Sequence, residues 1–326
     1  MSTREKPIVC LGILVADIVA RPLKTLPERG RLVLVDEMGL HTGGCATNAA
    51  SALARLGLPV EAIGKIGSDL TGDFVINAMQ ERGIGTRGVR RDPQTGTSLT
   101  IVLVDPDGER RFVHYLGANA HLTLEDLDLG IIAGASILHI GGALVLPGID
   151  GEPTAELLRM ARAAGVVTFL DIVWDDTGRW LDVLAPCLPW VDYFIPSLPE
   201  AQAMTGLEEP LAIAHNLLGR GPSVVGLKLG AQGCLVITRA GETISAPAFQ
   251  VEVVDATGAG DAFAAGFIAG VWQGWPLEKS ARFANAVGAL CVTGLGAGGG
   301  VRSLPETLQF METTVVKTPS IELPGR

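Results

Sequence analysis

The stretch VVDATGAGDAFAAGF, Val253 to Phe267, sets a polar, glycine-rich turn before an apolar run of helical character. A helix opening at Gly258 leaves its first N–H groups without intrahelical acceptors and carries partial positive charge there. Glycine allows close backbone approach, so Gly258, Ala259 and Gly260 can form an anion hole for a phosphate. Asp261 can accept a proton from an attacking hydroxyl while those N–H groups stabilise the transferring phosphoryl group. Taken alone, the stretch fits an ordinary helix start equally well. Other polar residues stand at the ends of apolar, strand-like runs: Asp17, Asp171, Ser197, Glu200 and Lys228. In open parallel sheets, ligands sit outside the carboxyl ends of the strands.

Several alternative chemistries lack their residues. There is no GxxxxGK followed by Ser or Thr, no GxGxxG after the first strand-like run and no GxSxG elbow. The five histidines form no HExxH pair, and the five cysteines have neither zinc spacing nor a disulfide pattern. Reduced thiols, and an N-terminus without a signal-peptide pattern, point to a cytoplasmic protein. The net charge of −10 argues against nucleic acid and anionic membranes as partners. The longest apolar run, from Ile131, is broken by Ser136, His139 and Pro147 and reads as a buried strand with a glycine loop rather than a membrane span.

The elements that must position these residues follow from periodicity. PIVCLGILVAD reads as a buried parallel strand ending at Asp17, and RLVLVDEMGLHTGG as a second β-like segment. CATNAASALARLG has helical spacing with Gly57 as its stop. From residue 137 onward strands and helices alternate. That pattern predicts an α/β fold, a doubly wound, mostly parallel sheet with helices on both faces, as a single domain over 1–326. Two β-only excursions, 18–41 and 95–117, do not belong in that layer and predict a small β-sheet lid. The second is a hairpin turning at Pro106-Asp107-Gly108. Residues 312–326 lack periodicity and read as a flexible tail.

GGCATNAASALARLG near the N-terminus and DATGAGDAFAAGFIAG near the C-terminus together resemble the two signatures of the ribokinase-like (PfkB) carbohydrate kinases, in matching order over nearly the whole chain. The resemblance implies transfer of phosphate from ATP to a sugar-like hydroxyl, with Asp261 as general base and Gly258, Ala259 and Gly260 as the anion hole. It implies that Asp17, Gly43, Gly44 and Asn48 bind substrate. Lys228, Gly230, Gly233 and Asn285 would face ATP, and Glu200 would act on Mg²⁺ through water. A monovalent-cation site, K⁺ in many relatives, would match Asp255, Thr257 and the backbone near Cys291, Gly294 and Gly296. Pairing of lids would give a homodimer.

Departures from the family pattern shape the substrate expectation. Ser197 stands where the family has Asn, Ala256 replaces Thr, and Gly300 replaces a side-chain ligand of the cation site. Val15 and Cys45 speak against ribose, leaving a ketohexose or a 2-keto-3-deoxy sugar acid favoured. Arg111, with Arg110 beside it, would reach an acidic substrate unless both form a solvated edge. His114 and Tyr115 alternate faces, so one of them faces the pocket. His139 reads equally as a packed residue or a contact, and Trp174 as core packing ahead of stacking against a sugar. A nucleoside kinase, using Phe112, Tyr115 and His41 around a base, is the alternative enzyme; a regulator that binds without turnover is the alternative outside enzymes.

Overall fold

The computed structural model describes residues 6–317. In chain order its strands are β1 (Ile8–Gly12), β2 (Val15–Arg21), β3 (Glu37–Gly43), β4 (Val60–Gly67), β5 (Gly85–Asp92), β6 (Leu99–Val104) and β7 (Arg110–Tyr115). They continue with β8 (Ile137–Ala143), β9 (Val167–Ile172), β10 (Tyr193–Phe194), β11 (Val224–Lys228), β12 (Cys234–Thr238) and β13 (Thr243–Ala246). The α-helices are α1 (Cys45–Arg55), α2 (Leu70–Glu81), α3 (Leu129–Ala133), α4 (Glu152–Ala163) and α5 (Trp180–Leu184). After them come α6 (Leu198–Thr205), α7 (Pro210–Leu218), α8 (Ala259–Trp272), α9 (Leu277–Cys291) and α10 (Leu304–Thr313).

The main sheet has nine strands in the order β13-β12-β11-β10-β9-β8-β1-β4-β5. Its pairings are parallel except at the β11-β12-β13 edge. All five residues of β1 are buried, as a central strand covered on both faces requires. Ile8 and Cys10 pack toward α1, α8 and α9, whereas Val9 and Leu11 pack toward α4, α6 and α7. The strand order reverses between β1 and β8, which marks the switch point where such sheets hold ligands. The smaller sheet, β3-β2-β6-β7, is the expected lid.

Helix α8 is buried continuously from Ala262 to Gly270, and its glycines let a neighbouring helix approach. A Cβ on Gly266 would stand 2.8 Å from the Cα of Ala284, and one on Gly270 would stand 2.5 Å from Ser280 Oγ. The α8 and α9 backbones therefore approach closely, with Phe267 and Phe283 filling the layer against the sheet. This packing fixes the first turn of α8, where Asp261 lies.

The structure departs from the sequence pattern in three places. PIVCLGILVAD is not one strand: β1 ends at Gly12 and β2 begins a different sheet at Val15. A Cβ on Gly12 would meet the Gly141 carbonyl at 1.9 Å, so only glycine passes β8 here. The chain then turns outward, with the Leu14 backbone held by Asn119. Asp17 consequently stands on the lid sheet rather than at the end of a core strand. Second, Arg31–Val35 is not strand, and Leu32 and Leu34 are exposed. Third, the expected tail is partly docked: Val316 bridges to Phe249, and Lys317 N–H donates to Ala248 O. Residues 318–326 of that segment lie outside the described residues.

Candidate active site

Gly258 caps α8 in the left-handed region (φ 74°), and a Cβ there would press on Ala297 at 2.9 Å. Glycine is therefore demanded twice, by conformation and by space. A helix start of this kind can offer N–H groups to an anion, and here Ala259 N–H donates to Ala256 O at 3.3 Å. Asp261, in the first turn, accepts a hydrogen bond from Asn48 Nδ2 at 2.8 Å. Asn48 lies on α1, so the two glycine-rich stretches meet at this contact. Burial pushes the Asp261 carboxyl above the usual range, against the Asn48 hydrogen bond and the charge of Lys228.

Two cavities meet at Asp261 and Gly258. One, of about 770 Å³, lies under the lid and is reached by Asp17, Asn48, Thr100, His114 and Trp174. The other, of about 690 Å³, lies toward β11 and is lined by Asp171, Glu200, Lys228, Gly230, Ala259 and Gly260. Lys228 Nζ contacts both Asp171 oxygens at 2.7 Å and stands beside Gly260. Burial weakens its ammonium, but Asp171, Glu200 and Asp261 outweigh that and hold Lys228 above the usual lysine range. Burial also pushes Asp171 up, to about 7. Glu200 Oε2 caps α6 by accepting from Ser197 N–H at 2.7 Å.

Under the lid, Asp17 faces His41 across β3 and Thr100 across β6. Burial raises its carboxyl, with the Thr100 hydrogen bond opposing. A Cβ on Gly43 would stand 2.0 Å from Asp17 Oδ2, so the lid can hold this carboxylate only beside glycine. Gly44 (φ 91°) then opens α1 beneath the cavity. The alternation along β7 is settled: Arg110, Phe112 and His114 line the cavity. Tyr115 is exposed and does not line it. His114 Nδ1 lies 3.0 Å from Thr100 Oγ1, and burial lowers its pKa.

Some expected residues stand elsewhere. Arg111 points away from the cavity and pairs with Asp105, because its neighbour Arg110 takes the inward phase of the strand. Arg110 pairs with Asp255. Asn285 donates to Ala246 O and Pro247 O, and a Cβ on Gly233 would collide with Ala246 O. Both support the segment after β13 and line neither cavity. Asp255, Thr257, Cys291 and Gly296 do gather: Asp255 accepts from Thr257 N–H and Gly296 N–H, and Cys291 Sγ donates to Thr257 O. Yet the Asp255 charge is met by Arg110. Gly294 packs against the backbone of Gly299 and Gly300. No group of three or more His, Cys, Asp or Glu side chains suited to a metal occurs among the described residues.

Trp174 is not core. It lines the lid cavity edge-on to Trp180, which takes the buried position. His139 is fully buried, its pKa lowered by burial to about 3, and it lines neither cavity. Asp171 was visible in the sequence only as a polar strand end; its pairing with Lys228 needed the β9-β10-β11 order.

The family model described as pfkB family carbohydrate kinase matches residues 5–304. A 2-dehydro-3-deoxygluconokinase of Bacillus subtilis (strain 168) is 28% identical over 295 residues, covering 87% of this chain and 90% of that protein. The fructokinase of Xylella fastidiosa solved with bound ATP superposes with a TM-score of 0.81 at 28% identity, covering 94% of this chain and 98% of that one. An E. coli protein solved in complex with ATP and Mg²⁺ superposes with a TM-score of 0.81 at 25% identity, covering 94% and 99%.

Proposed function

The chain belongs to the pfkB family of carbohydrate kinases, and from that premise we propose that it transfers the γ-phosphate of ATP to a primary hydroxyl of a sugar held under the lid. The observation that carries this reading is the position of Asp261 at the junction of the two cavities. The acceptor occupies the lid cavity, where Asp17 and Asn48 hold its hydroxyls beside Gly43 and Gly44. ATP occupies the other, with its terminal phosphates toward Lys228, Gly230 and the N–H groups of Gly258, Ala259 and Gly260. Asp261 takes the proton of the acceptor hydroxyl. The acceptor oxygen forms the new P–O bond as the bond to the ADP oxygen breaks. The N–H groups and Lys228 receive the charge of the transferring group, so the rate rests on positioning and electrostatics. Raising the carboxyl above its usual range makes it a stronger base.

Glu200 lines the donor cavity and would meet Mg²⁺ through retained waters, whereas both Asp171 oxygens are held by Lys228. When bound, the ion would neutralise phosphate charge. The lid over the acceptor excludes water that would otherwise hydrolyse ATP.

Between the two favoured acceptors, the charges favour a neutral ketohexose over a 2-keto-3-deoxy sugar acid. The two arginines that line the cavity are already paired, Arg21 with Glu37 and Arg110 with Asp255. Asp17 and Asp261 remain as carboxylates facing the acceptor. A nucleoside is the second reading, because Phe112 on the lid and Trp174 on the body both present aromatic rings to this cavity. The test is acceptor-dependent ADP release over ketohexoses, pentoses, sugar acids and nucleosides. A ketohexose should give the highest kcat/KM. A sugar acid in first place overturns the charge argument, and silence with every acceptor overturns the kinase reading.

Two further proposals concern the whole protein. The outer lid face presents Met38, Leu40, Ile101, Val113 and Tyr115 to solvent, which supports pairing of two copies. The five cysteines are free, which supports a reducing, cytoplasmic setting. No helix among the described residues is long and apolar enough to cross a membrane.

A further inference from the structure

Arg110 opens β7 on the lid, and Asp255 lies on the turn that leads into the anion hole. Their ion pair spans the lid cavity, with side chains only 20% and 17% exposed. Asp255 is the knot of that turn. Its Oδ1 accepts from Thr257 N–H at 2.8 Å and its Oδ2 from Gly296 N–H at 2.9 Å. Its own N–H and that of Val254 both donate to Val292 O. Two residues beyond Thr257, the chain enters α8 through Gly258, which packs on Ala297. The carboxylate therefore ties together the turn before the anion hole and the loop against which Gly258 rests.

We propose that Arg110 is a positioning residue that couples lid closure to the anion hole, gripping Asp255 so that Gly258–Gly260 reach their working geometry only when the lid lies over the acceptor. The inference rests on the phosphoryl-transfer reading of this site. The pair joins the lid over the acceptor cavity to the turn that leads into the anion hole, so a filled acceptor site would complete the donor site. The same contact explains why Arg110 is unavailable to an anionic substrate: its charge already serves the turn. A lid lacking this residue could still cover the sugar but would leave the turn unheld.

The experiment is steady-state kinetics of Arg110→Ala and Arg110→Lys with the best sugar acceptor, alone and combined with Asp255→Asn. Displacing the anion hole should lower kcat of Arg110→Ala about ten- to a hundredfold, the scale of a misplaced site, with little change in either KM. Arg110→Lys should recover much of that loss, because the charge can still reach Asp255. In the Asp255→Asn background, Arg110→Ala should cost nothing further, since the two act as one unit. A raised acceptor KM with unchanged kcat makes Arg110 a substrate ligand and overturns the proposal, as do losses that simply add in the double variant. If Arg110→Ala does not fold, Arg110→Gln is read against the same outcomes. Absence of sugar-dependent ADP release from the unaltered enzyme is a separate failure, that of the site reading itself.

Discussion

Asp261 is held by a helix start, a hydrogen bond from Asn48 and a nearby ammonium, and each constrains its chemistry. Asp261→Asn keeps the shape and removes the base, so kcat should fall about 10²–10⁴-fold, the usual worth of a positioned base. ATP affinity measured by calorimetry should stay nearly unchanged; an active variant would remove the base assignment. The intact enzyme should also show an acid limb in kcat. A carboxyl raised by burial binds its proton at higher pH than a free one, so activity should be lost, as pH falls, above the ordinary carboxylate range of about 4. Asp261, Asn48 and the glycines belong to motifs that constrain them locally, and the structure brings Asn48 onto Asp261. Arg110 and Arg111 were not separable in the sequence. A strand's alternation has a known period, but its phase depends on the register of β6 against β7. Asn285 and Gly233 show the converse, being drawn by resemblance to the nucleotide while the structure gives them backbone to support.

Among the elements, α8 and α9 set the tightest constraint. Gly266→Ala would gain about 1 kcal/mol of helix propensity. The same methyl would press on the α9 backbone, where overpacking costs about 1–3 kcal/mol, and the clash at 2.8 Å decides the sign. The variant should unfold at lower urea concentration, and a stabilised Gly266→Ala would contradict the close approach. Element types were largely readable, since buried parallel strands and small-residue helices leave strong patterns. Boundaries were less so. PIVCLGILVAD is apolar up to Asp17, and both sheets bury their share of it, so hydropathy carries no mark of the change at Gly12. Leu32 and Leu34 misled in the other direction, apolar residues in an exposed loop before β3.

At the scale of the molecule, a mostly parallel sheet and a separate small sheet were both expected from the pattern of elements, because β-only insertions cannot join a parallel layer without crossover helices; that the main sheet has nine strands comes from the structure. How two copies would meet was not readable, since the sequence does not say which lid face is dry. The exposed apolar side now supplies a test. Val113→Lys on that face should shift the mass measured by light scattering from dimer toward monomer; a persisting dimer would place the contact elsewhere. The two cavities joined at one carboxylate carry a last consequence, for handedness at phosphorus. On the proposed placement of acceptor and ATP in the two cavities that meet at Asp261, the incoming and departing oxygens would face each other across the phosphorus atom. A γ-phosphate made chiral with oxygen isotopes and sulfur would leave the enzyme turned inside out, like an umbrella in wind, in a single inversion.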